Sequence, residues 1–393
     1  MFLNTLKRRN KKLVQVAFDL HQNGYITPDS YMIDVDIFLE NSKKILQEAN
    51  KHGIKLYYML KQIGRNPYLA KKLEEMGYSG AVVVDFKEAD IMIKNGIKIG
   101  NIGHLVQIPD NMLEKVIKSN PEIITVYSYE KAEKISEISE KLNKIQNIMI
   151  KVVDDNSSIY PGQESGFEIK NLETEIEKLL NLKGIKINGI TSFPCFLCNK
   201  ENNKIEPTEN IETIKLAQNI LKEKFDISVG QLNMPSVTSV ENIKQIKELG
   251  GTHGEPGHSL TGTTPLGENM DTEELPAYVY ISEISHQFRG KWYFYGGGYY
   301  RRGNLKKALV GEKIEKSFEL LVDTMDCNSI DYYLSLKENQ NKDIKVGDTV
   351  LTSFRTQIFV TRSDVVLVKG IQSAEPKIIG RYTALGEEMI YIE

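Results

Sequence analysis

Between Gly53 and Met270, short runs of apolar, β-branched and aromatic residues alternate with charged segments whose apolar positions recur at helical spacing. That alternation is the signature of successive βα units and a parallel sheet. Strands are predicted at Leu56–Leu60, Ala81–Asp85, Ile97–Gly103, Ile123–Tyr127, Ile148–Val153, Ile185–Phe193, Val229–Asn233 and Thr252–Glu255. Helical patterns follow at Pro67–Met76, after Asp85 up to Asn95-Gly96, and at Asn111–Lys118, Tyr129–Leu142, Leu172–Leu180, Ile211–Lys224 and Ser239–Leu249. Proline opens the first of these, where its missing N–H costs nothing. Eight strands close a barrel, whereas an open doubly wound sheet usually has fewer. The predicted fold class is α/β: a (β/α)8 TIM-type barrel over residues 30–270, then a mostly antiparallel β domain over 271–393. In that second part strands recur without helices between them, at Ala277–Ile284, Trp292–Tyr295, Leu320–Asp323, Thr349–Leu351, Ile358–Val360 and Val365–Val368.

Residues 1–29 read as a helical extension, with a basic stretch from Lys7 to Lys12 and a short amphipathic segment ending at Asn23-Gly24, taken as a solvated helix face. From Tyr31 the strand-like YMIDVD runs into a helix-period segment through Asn41 to His52, closed by Gly53.

Composition narrows the classes. A chain of 393 residues holds two or three domains and buries a sizeable core. Fifty Lys+Arg against 53 Asp+Glu leave a net charge of −3, so the footprint of a general nucleic-acid binder is missing. No apolar run approaches the roughly 18–20 residues of a membrane span, and none follows the N-terminal basic residues as a secretory signal would. A cytoplasmic protein without membrane or nucleic-acid partners is expected. Three cysteines make no disulfide framework and fit a reducing compartment. Cys195 and Cys198 form one CxxC, Cys327 is the only other thiol, and no second pair or paired histidines follow, so no metal site is expected.

Barrel enzymes carry their chemistry at the C-terminal ends of strands. The residues there are Lys61, Asp85, His104, Lys151 with Asp154, Ser192, Asn233 with Ser236, and His253 with Glu255. Lys61, directly behind LYYML, would have a partly desolvated amine in the barrel mouth, which favours a nucleophile, although a snorkelling lysine at a strand end fits the same position. After the seventh and eighth strands come Ser236-Val237-Thr238-Ser239 and a run from Gly257 to Thr264 rich in hydroxyls and glycine. Barrels commonly hold phosphate there, on backbone N–H groups at a helix start. A Schiff-base lysine on the first strand with a phosphate cradle at the last two is what pyridoxal 5′-phosphate (PLP) demands.

The segments LYYMLKQIGRNP, YPGQESGF, QLNMPSVTSV, HGEPGHSLTGT, YGGGYYRRG and FRTQIFVTRSDVVLV closely resemble the YhfX-type branch of the alanine-racemase-like PLP proteins of fold type III, over almost the whole chain. The resemblance implies a PLP-carrying barrel, a β domain, an amino-acid substrate, and a homodimer in which each site is completed by the other subunit. By position, Lys61 would carry PLP and act as base on one face of the substrate Cα. Arg65 stands where racemases hold a phosphate-binding tyrosine and would pair with the phosphate. Asn233, Ser236 and Gly257, with the backbone of His258, fall at cofactor-binding positions. Tyr295 matches the second base that racemases take from the neighbouring subunit. Asp36 and Asn41 match the family's opening pattern as structural residues.

Departures from that pattern carry information too. Glu255 stands where racemases place an arginine against the pyridine nitrogen, and a carboxylate there favours the pyridinium and strengthens the ring as an electron sink. The arginine that contacts the phenolic oxygen falls at Glu164, and the histidine packed on the ring falls at Ser192, with His104 or His253 as replacements. Related aldolases and dehydratases carry a metal-binding His and Cys in the β domain. FRTQIFVTRSD has neither, and offers Arg355 and Arg362 to clamp a substrate carboxylate or to bind structural acids. The expected function is a PLP-dependent amino-acid racemase or epimerase. A PLP-dependent lyase, decarboxylase or aldolase, or a PLP-binding protein without turnover, are the alternatives.

Overall fold

A computed structural model describes residues 2–323, 328–337 and 343–390. The chain divides into two compact units. One comprises residues Lys43–Leu60 and Pro67–Gly257; the other comprises Met1–Ser42, Lys61–Asn66 and His258–Glu393.

The first unit is a closed barrel of parallel strands at Lys55–Met59, Gly80–Val82, Ile99–Ile102, Ile123–Val126, Gln146–Val153, Ile185–Thr191, Gln231–Asn233 and His253–Gly254. All eight predicted strands are present; six are shorter than predicted, Lys55–Met59 is shifted by one residue, and Gln146–Val153 is longer. Closure comes from parallel pairing of the last strand with the first, His253 opposite Lys55 and Gly254 opposite Leu56, continued by the Met59 N–H donating to the Pro256 carbonyl at 2.9 Å. The strands are buried on both faces, which is why they read as continuous apolar runs.

Side-chain caps start several of the outer helices. Asp85 accepts from the Glu88 N–H ahead of Phe86–Lys94, so this candidate from the strand-end set is a structural residue. Ser128 does the same ahead of Tyr129–Lys141. The Asn242 side chain reaches back to accept the Ser239 N–H at the start of Val240–Glu248. An unpredicted hairpin, Phe196–Asn199 with Lys204–Pro207, is inserted after the sixth strand.

A polar layer fills the N-terminal end of the barrel. The buried Tyr57 hydroxyl donates to Glu122 Oε1 at 2.8 Å, and Lys98 Nζ meets Glu122 Oε2 at 2.8 Å. Gln231 Nε2 donates to the same hydroxyl at 3.0 Å. The His253 ring stacks on Tyr57, with centroids 5.2 Å apart, and its Nδ1 is 2.8 Å from the Thr252 hydroxyl. Burial pushes this imidazole down to about 4. His253 is thereby tied to Tyr57 and the layer at the closed end, where barrel residues serve stability.

The second unit is built on an antiparallel sheet, and the strand Ser30–Asp34 is one of its central members. It pairs antiparallel with Tyr278–Phe288, Tyr31 opposite Tyr280, and parallel with Asp364–Lys369, Tyr31 opposite Val365. The boundary drawn at residue 30 from the sequence therefore cuts through this sheet. A run of five buried residues reads the same in either kind of sheet, and only its partners distinguish them. Ile358–Val360, predicted as a strand, is a single 3₁₀ turn, while Lys307–Gly311 is an unpredicted strand between Phe318–Leu321 and Thr349–Thr352.

The N-terminal helices Phe2–Arg9 and Lys11–Gln22 are not merely solvated. Their apolar stripe of Leu3, Leu6, Leu13, Val14, Ala17 and Phe18 packs in one core with Met32, Val279, Ile281 and Val366. Each leucine, valine and phenylalanine of this stripe contributes about 1.5–3 kcal/mol on full burial. Asn10 links the helices: its side chain caps the Leu13 N–H and donates to the Pro276 carbonyl at 2.9 Å. Asp36 and Asn41 are structural as expected. Asp36 accepts the Gly370 N–H at 2.7 Å, and Asn41 donates to the Leu260 and Leu275 carbonyls while accepting the Leu275 N–H.

Gly100 on the third barrel strand faces Tyr57, and a Cβ there would lie 2.2 Å from the ring. Because Tyr57 is held by His253 and Glu122, the ring cannot move aside cheaply. Gly100→Ala is expected to lower unfolding free energy by about 1–3 kcal/mol, measured by urea denaturation.

Candidate active site

At the C-terminal end of the barrel the central group is a carboxylate. Glu255, just past the last strand, is 8% exposed. Its Oε1 accepts from Asn233 Nδ2 at 2.7 Å and from Asn101 Nδ2 at 3.3 Å. His104 Nε2 stands 4.0 Å from Oε2, and the His104 ring meets Phe193 edge to face at 5.4 Å. The Glu255 N–H donates to Thr238 Oγ1 at 2.9 Å, which fixes the backbone at that point. Of this set Glu255, Asn233 and His104 were foreseen. Asn101 and its partner Thr125, whose hydroxyl donates to Asn101 Oδ1 at 2.8 Å, were not. Both are fully buried polar residues within apolar strand runs, and that incongruity is the signal that could have exposed them.

The loop after the seventh strand runs from Met234 to the helix at Val240. Ser236 donates its hydroxyl to the Phe196 carbonyl at 2.5 Å, so its proton is engaged within the barrel unit. Val237 has φ of 54°, a left-handed conformation that a β-branched residue adopts only under constraint. Gly257, at the end of this unit, is buried.

Lys151 closes another side of the barrel end. It is 3% exposed, donates to Ser165 Oγ at 2.7 Å and the Gln163 carbonyl at 3.2 Å, and lies 5.0 Å over the Tyr127 ring. Burial lowers its amine to about 8, against the opposing pull of Glu164. Glu164 itself is exposed and takes the Gly162 N–H. Where the resemblance led to Glu164 in place of an arginine, the buried cation in this region is Lys151.

The second unit carries the remaining predicted residues. Lys61 opens a 3₁₀ turn, Lys61–Ile63, two residues past the first barrel strand. Arg65 is buried with φ of 54°, and its guanidinium lies 5.4 Å over the Phe359 ring. His258 Nε2 is 3.0 Å from the Thr356 carbonyl and 3.3 Å from Arg355 Nε, and Gln62 Nε2 approaches Nδ1 at 3.5 Å. Burial and the charges of Arg355 and Lys61 hold this imidazole well below its ordinary value. Arg362 is bound to Asp331 through its side chain at 2.8 Å and its carbonyl at 2.7 Å, the structural use of the two considered.

Tyr295 ends the strand Lys291–Tyr295, half-buried, its ring 5.8 Å from that of Tyr333. The glycines that follow it are packing requirements: a Cβ at Gly297 would sit 2.3 Å from Asp29 Oδ2, and one at Gly298 2.2 Å from the Tyr280 ring. Cys195 is buried and donates to the Ser192 carbonyl; Cys327 lies outside the described residues. Among the described residues there is no group of three His, Cys, Asp or Glu able to hold a metal ion, and no helix long and apolar enough to cross a membrane.

A closed (β/α)8 barrel with a separate, mostly antiparallel sheet defines the alanine-racemase type of architecture. The chain belongs to that family: residues 33–265 match the alanine racemase N-terminal domain, and residues 279–378 match the YhfX-like C-terminal domain. It is 46% identical over 390 residues to "Uncharacterized protein YhfX" of Escherichia coli (strain K12), covering 99% of this chain and 100% of that protein. Among solved structures it is similar to the alanine racemase of Clostridium difficile 630 in complex with cycloserine, with a TM-score of 0.65 at 21% identity over 91% of this chain and 99% of that one. It is also similar to the D-threonine aldolase from Filomicrobium marinum, with a TM-score of 0.67 at 10% identity over 92% of this chain and 95% of that one. These two likenesses establish the fold.

The buried Lys151 amine makes a pH test of this corner. Its amine titrates at 10.5 in the unfolded chain and about 8 in the folded one, so between these values the unfolded chain carries more protons and stability rises with pH. The rise amounts to at most about 3 kcal/mol at about 1.4 kcal/mol per pH unit. Urea denaturation from pH 7.5 to 10.5 should show it in the wild type relative to Lys151→Met, in which the titrating amine is gone.

Proposed function

We propose that the protein is a PLP-dependent enzyme acting at the α-carbon of an amino acid, as a racemase or epimerase. The observation that carries this reading is the fixed carboxylate: Glu255 is held by the amides of Asn233 and Asn101 at the end of the last strand of a racemase-type barrel. A pyridine nitrogen needs an acceptor of this kind if it is to keep a proton.

The residues present fit the cofactor. Asn233 Oδ1 and Ser192 Oγ are buried without a hydrogen-bond partner at strand ends of the barrel, the condition a bound polar molecule relieves. Val237 holds a left-handed φ of 54° in the loop ahead of the helix Val240–Glu248, the loop that the resemblance assigns to the phosphate. Lys61 would hold PLP covalently. Backbone N–H groups of the Ser236–Thr238 loop, Gly257 and His258 would hold its phosphate, and Arg65 would pair with it. His104 would pack beside the ring. When bound, PLP withdraws electrons from the substrate Cα and so makes its proton removable.

On this reading Glu255 holds the proton at the pyridine nitrogen. The Lys61 amine moves the Cα proton on one face, and the Tyr295 hydroxyl of a second copy of the chain moves it on the other. Inversion follows from two bases across one plane. Arg355 is the candidate for the substrate carboxylate; Arg362, committed to Asp331, is set aside.

Borohydride reduction of the PLP-treated protein should leave the cofactor's mass on the Lys61 peptide, and Lys61→Ala should abolish it. An unmodified Lys61 would sink the proposal. With L- and D-amino acids in D2O, wild type should interconvert the enantiomers with deuterium at Cα. Tyr295→Phe should slow interconversion by about 10²–10⁴-fold while exchange continues in one enantiomer. Release of a keto acid, CO2 or an aldehyde would replace the racemase reading with a lyase or decarboxylase.

Sharing of the site between subunits makes a separate prediction. Mixing Lys61→Ala with Tyr295→Phe should restore about a quarter of wild-type activity, because about half the dimers are hybrids with one intact site each. Two inactive variants that stay inactive after subunit exchange would exclude a shared site.

A further inference from the structure

We propose that Asn101, keyed by the Thr125 hydroxyl, is a positioning residue that fixes Glu255 as a hydrogen-bond acceptor at the C-terminal end of the barrel. The chain of contacts has one direction. Thr125 Oγ1 donates to Asn101 Oδ1 at 2.8 Å, so the amide cannot flip without losing that bond, and its Nδ2 is left to donate to Glu255 Oε1 at 3.3 Å. Asn233 donates to the same oxygen at 2.7 Å from the neighbouring strand. All three polar residues are fully buried, where an unmet donor or acceptor is costly, so the arrangement is held by what its loss would leave unpaired. Two N–H donors on one oxygen favour the ionised carboxylate and fix its plane, with the other oxygen on the His104 side.

The inference rests on the PLP reading for its purpose, since a fixed acceptor is what a pyridine N–H needs, but its geometry is independent of any cofactor. Titratable groups of the same unit that sense Glu255 are His104 at 4.0 Å, and Cys195 and Tyr57, on both of which the Glu255 charge acts. Each is left in place by substitutions at Asn101 and Thr125.

The test follows the carboxylate directly. The full chain is labelled with 13Cδ-glutamate, its Glu255 signal is assigned by comparison with Glu255→Gln, and the signal is titrated without added cofactor. Asn101→Ala should raise the Glu255 midpoint by about one pH unit, the loss of one hydrogen bond to a charged group. Thr125→Val, which frees the amide to turn, should move it the same way by less, and Thr125→Ser should restore the wild-type value. Should Asn101→Ala not fold, the Val and Ser variants of Thr125 carry the comparison. Wild-type midpoints in Asn101→Ala and Thr125→Val, or a Thr125→Ser that behaves as Thr125→Val, overturn the proposal. After PLP loading, the pH midpoint of the cofactor absorption should shift in the same order. Absence of PLP on Lys61 would refute the functional reading while leaving the carboxylate titration to decide this one.

Discussion

Pairing of His253–Gly254 with Lys55–Leu56 turns the parallel sheet into a ring, and the hydrogen bond from the Met59 N–H to the Pro256 carbonyl carries that pairing to the strand ends. In an open sheet the last strand would be an edge, and Glu255 would have a strand on one side only. In the ring it stands beside Asn233 of the preceding strand, and the barrel's curvature brings Asn101 of the third strand within reach from across the interior. A carboxylate in an apolar barrel is tolerable only where polar groups surround it, and the ring supplies them from non-adjacent stretches of chain.

The two ends of the barrel use the same physics for different purposes. Tyr57, Glu122, Lys98 and Gln231 form a hydrogen-bonded network at the N-terminal end. Its four members bond to one another, with the His253 ring stacked on Tyr57 and its Nε2 without a hydrogen-bond partner among the described residues, and this locks strand positions. At the opposite end Asn233 Oδ1, beside Glu255, and Ser192 Oγ, just past the sixth strand, are buried without a hydrogen-bond partner among the described residues. Mutually bonded groups stabilise, whereas unmet polar atoms at the C-terminal end, where barrels bind their ligands, are what a ligand would satisfy.

In the second unit, Asp29 is the corresponding knot. It accepts from the Tyr280 hydroxyl at 2.7 Å and from Ser363, while burial pushes its carboxyl up against those donors. The glycines after Tyr295 pass directly over Asp29 and Tyr280, and the Tyr31 hydroxyl donates to the Gly298 carbonyl. Tyr295 is thus carried by a segment whose path is set by close packing, and the YGGGYY motif owes its glycines to sterics rather than to the chemistry of Tyr295.

Periodicity alone predicts the eight barrel strands, the helices between them and the change to an antiparallel domain, because burial of both strand faces and of one helix stripe is written into local residue order. Lys61 is visible because it directly follows the apolar run LYYML, and Glu255 because it stands at the end of the eighth predicted strand. Partnership was not visible. The strand Ser30–Asp34 reads like any buried strand, and its place between Tyr278–Phe288 and Asp364–Lys369 depends on residues more than 240 positions away, as the Ser30–Ile281 and Ser30–Asp364 pairs show. His253, offered beside His104 as a contact for the cofactor ring, has its own ring stacked on Tyr57, and Asn101 carries no sign in the sequence of its bond to Glu255. Local order determines which residues are buried and which elements form, since those are short-range free energies. Which buried polar groups meet is decided by closure of the sheets, because hydrogen bonds act over about 3 Å in space irrespective of separation along the chain.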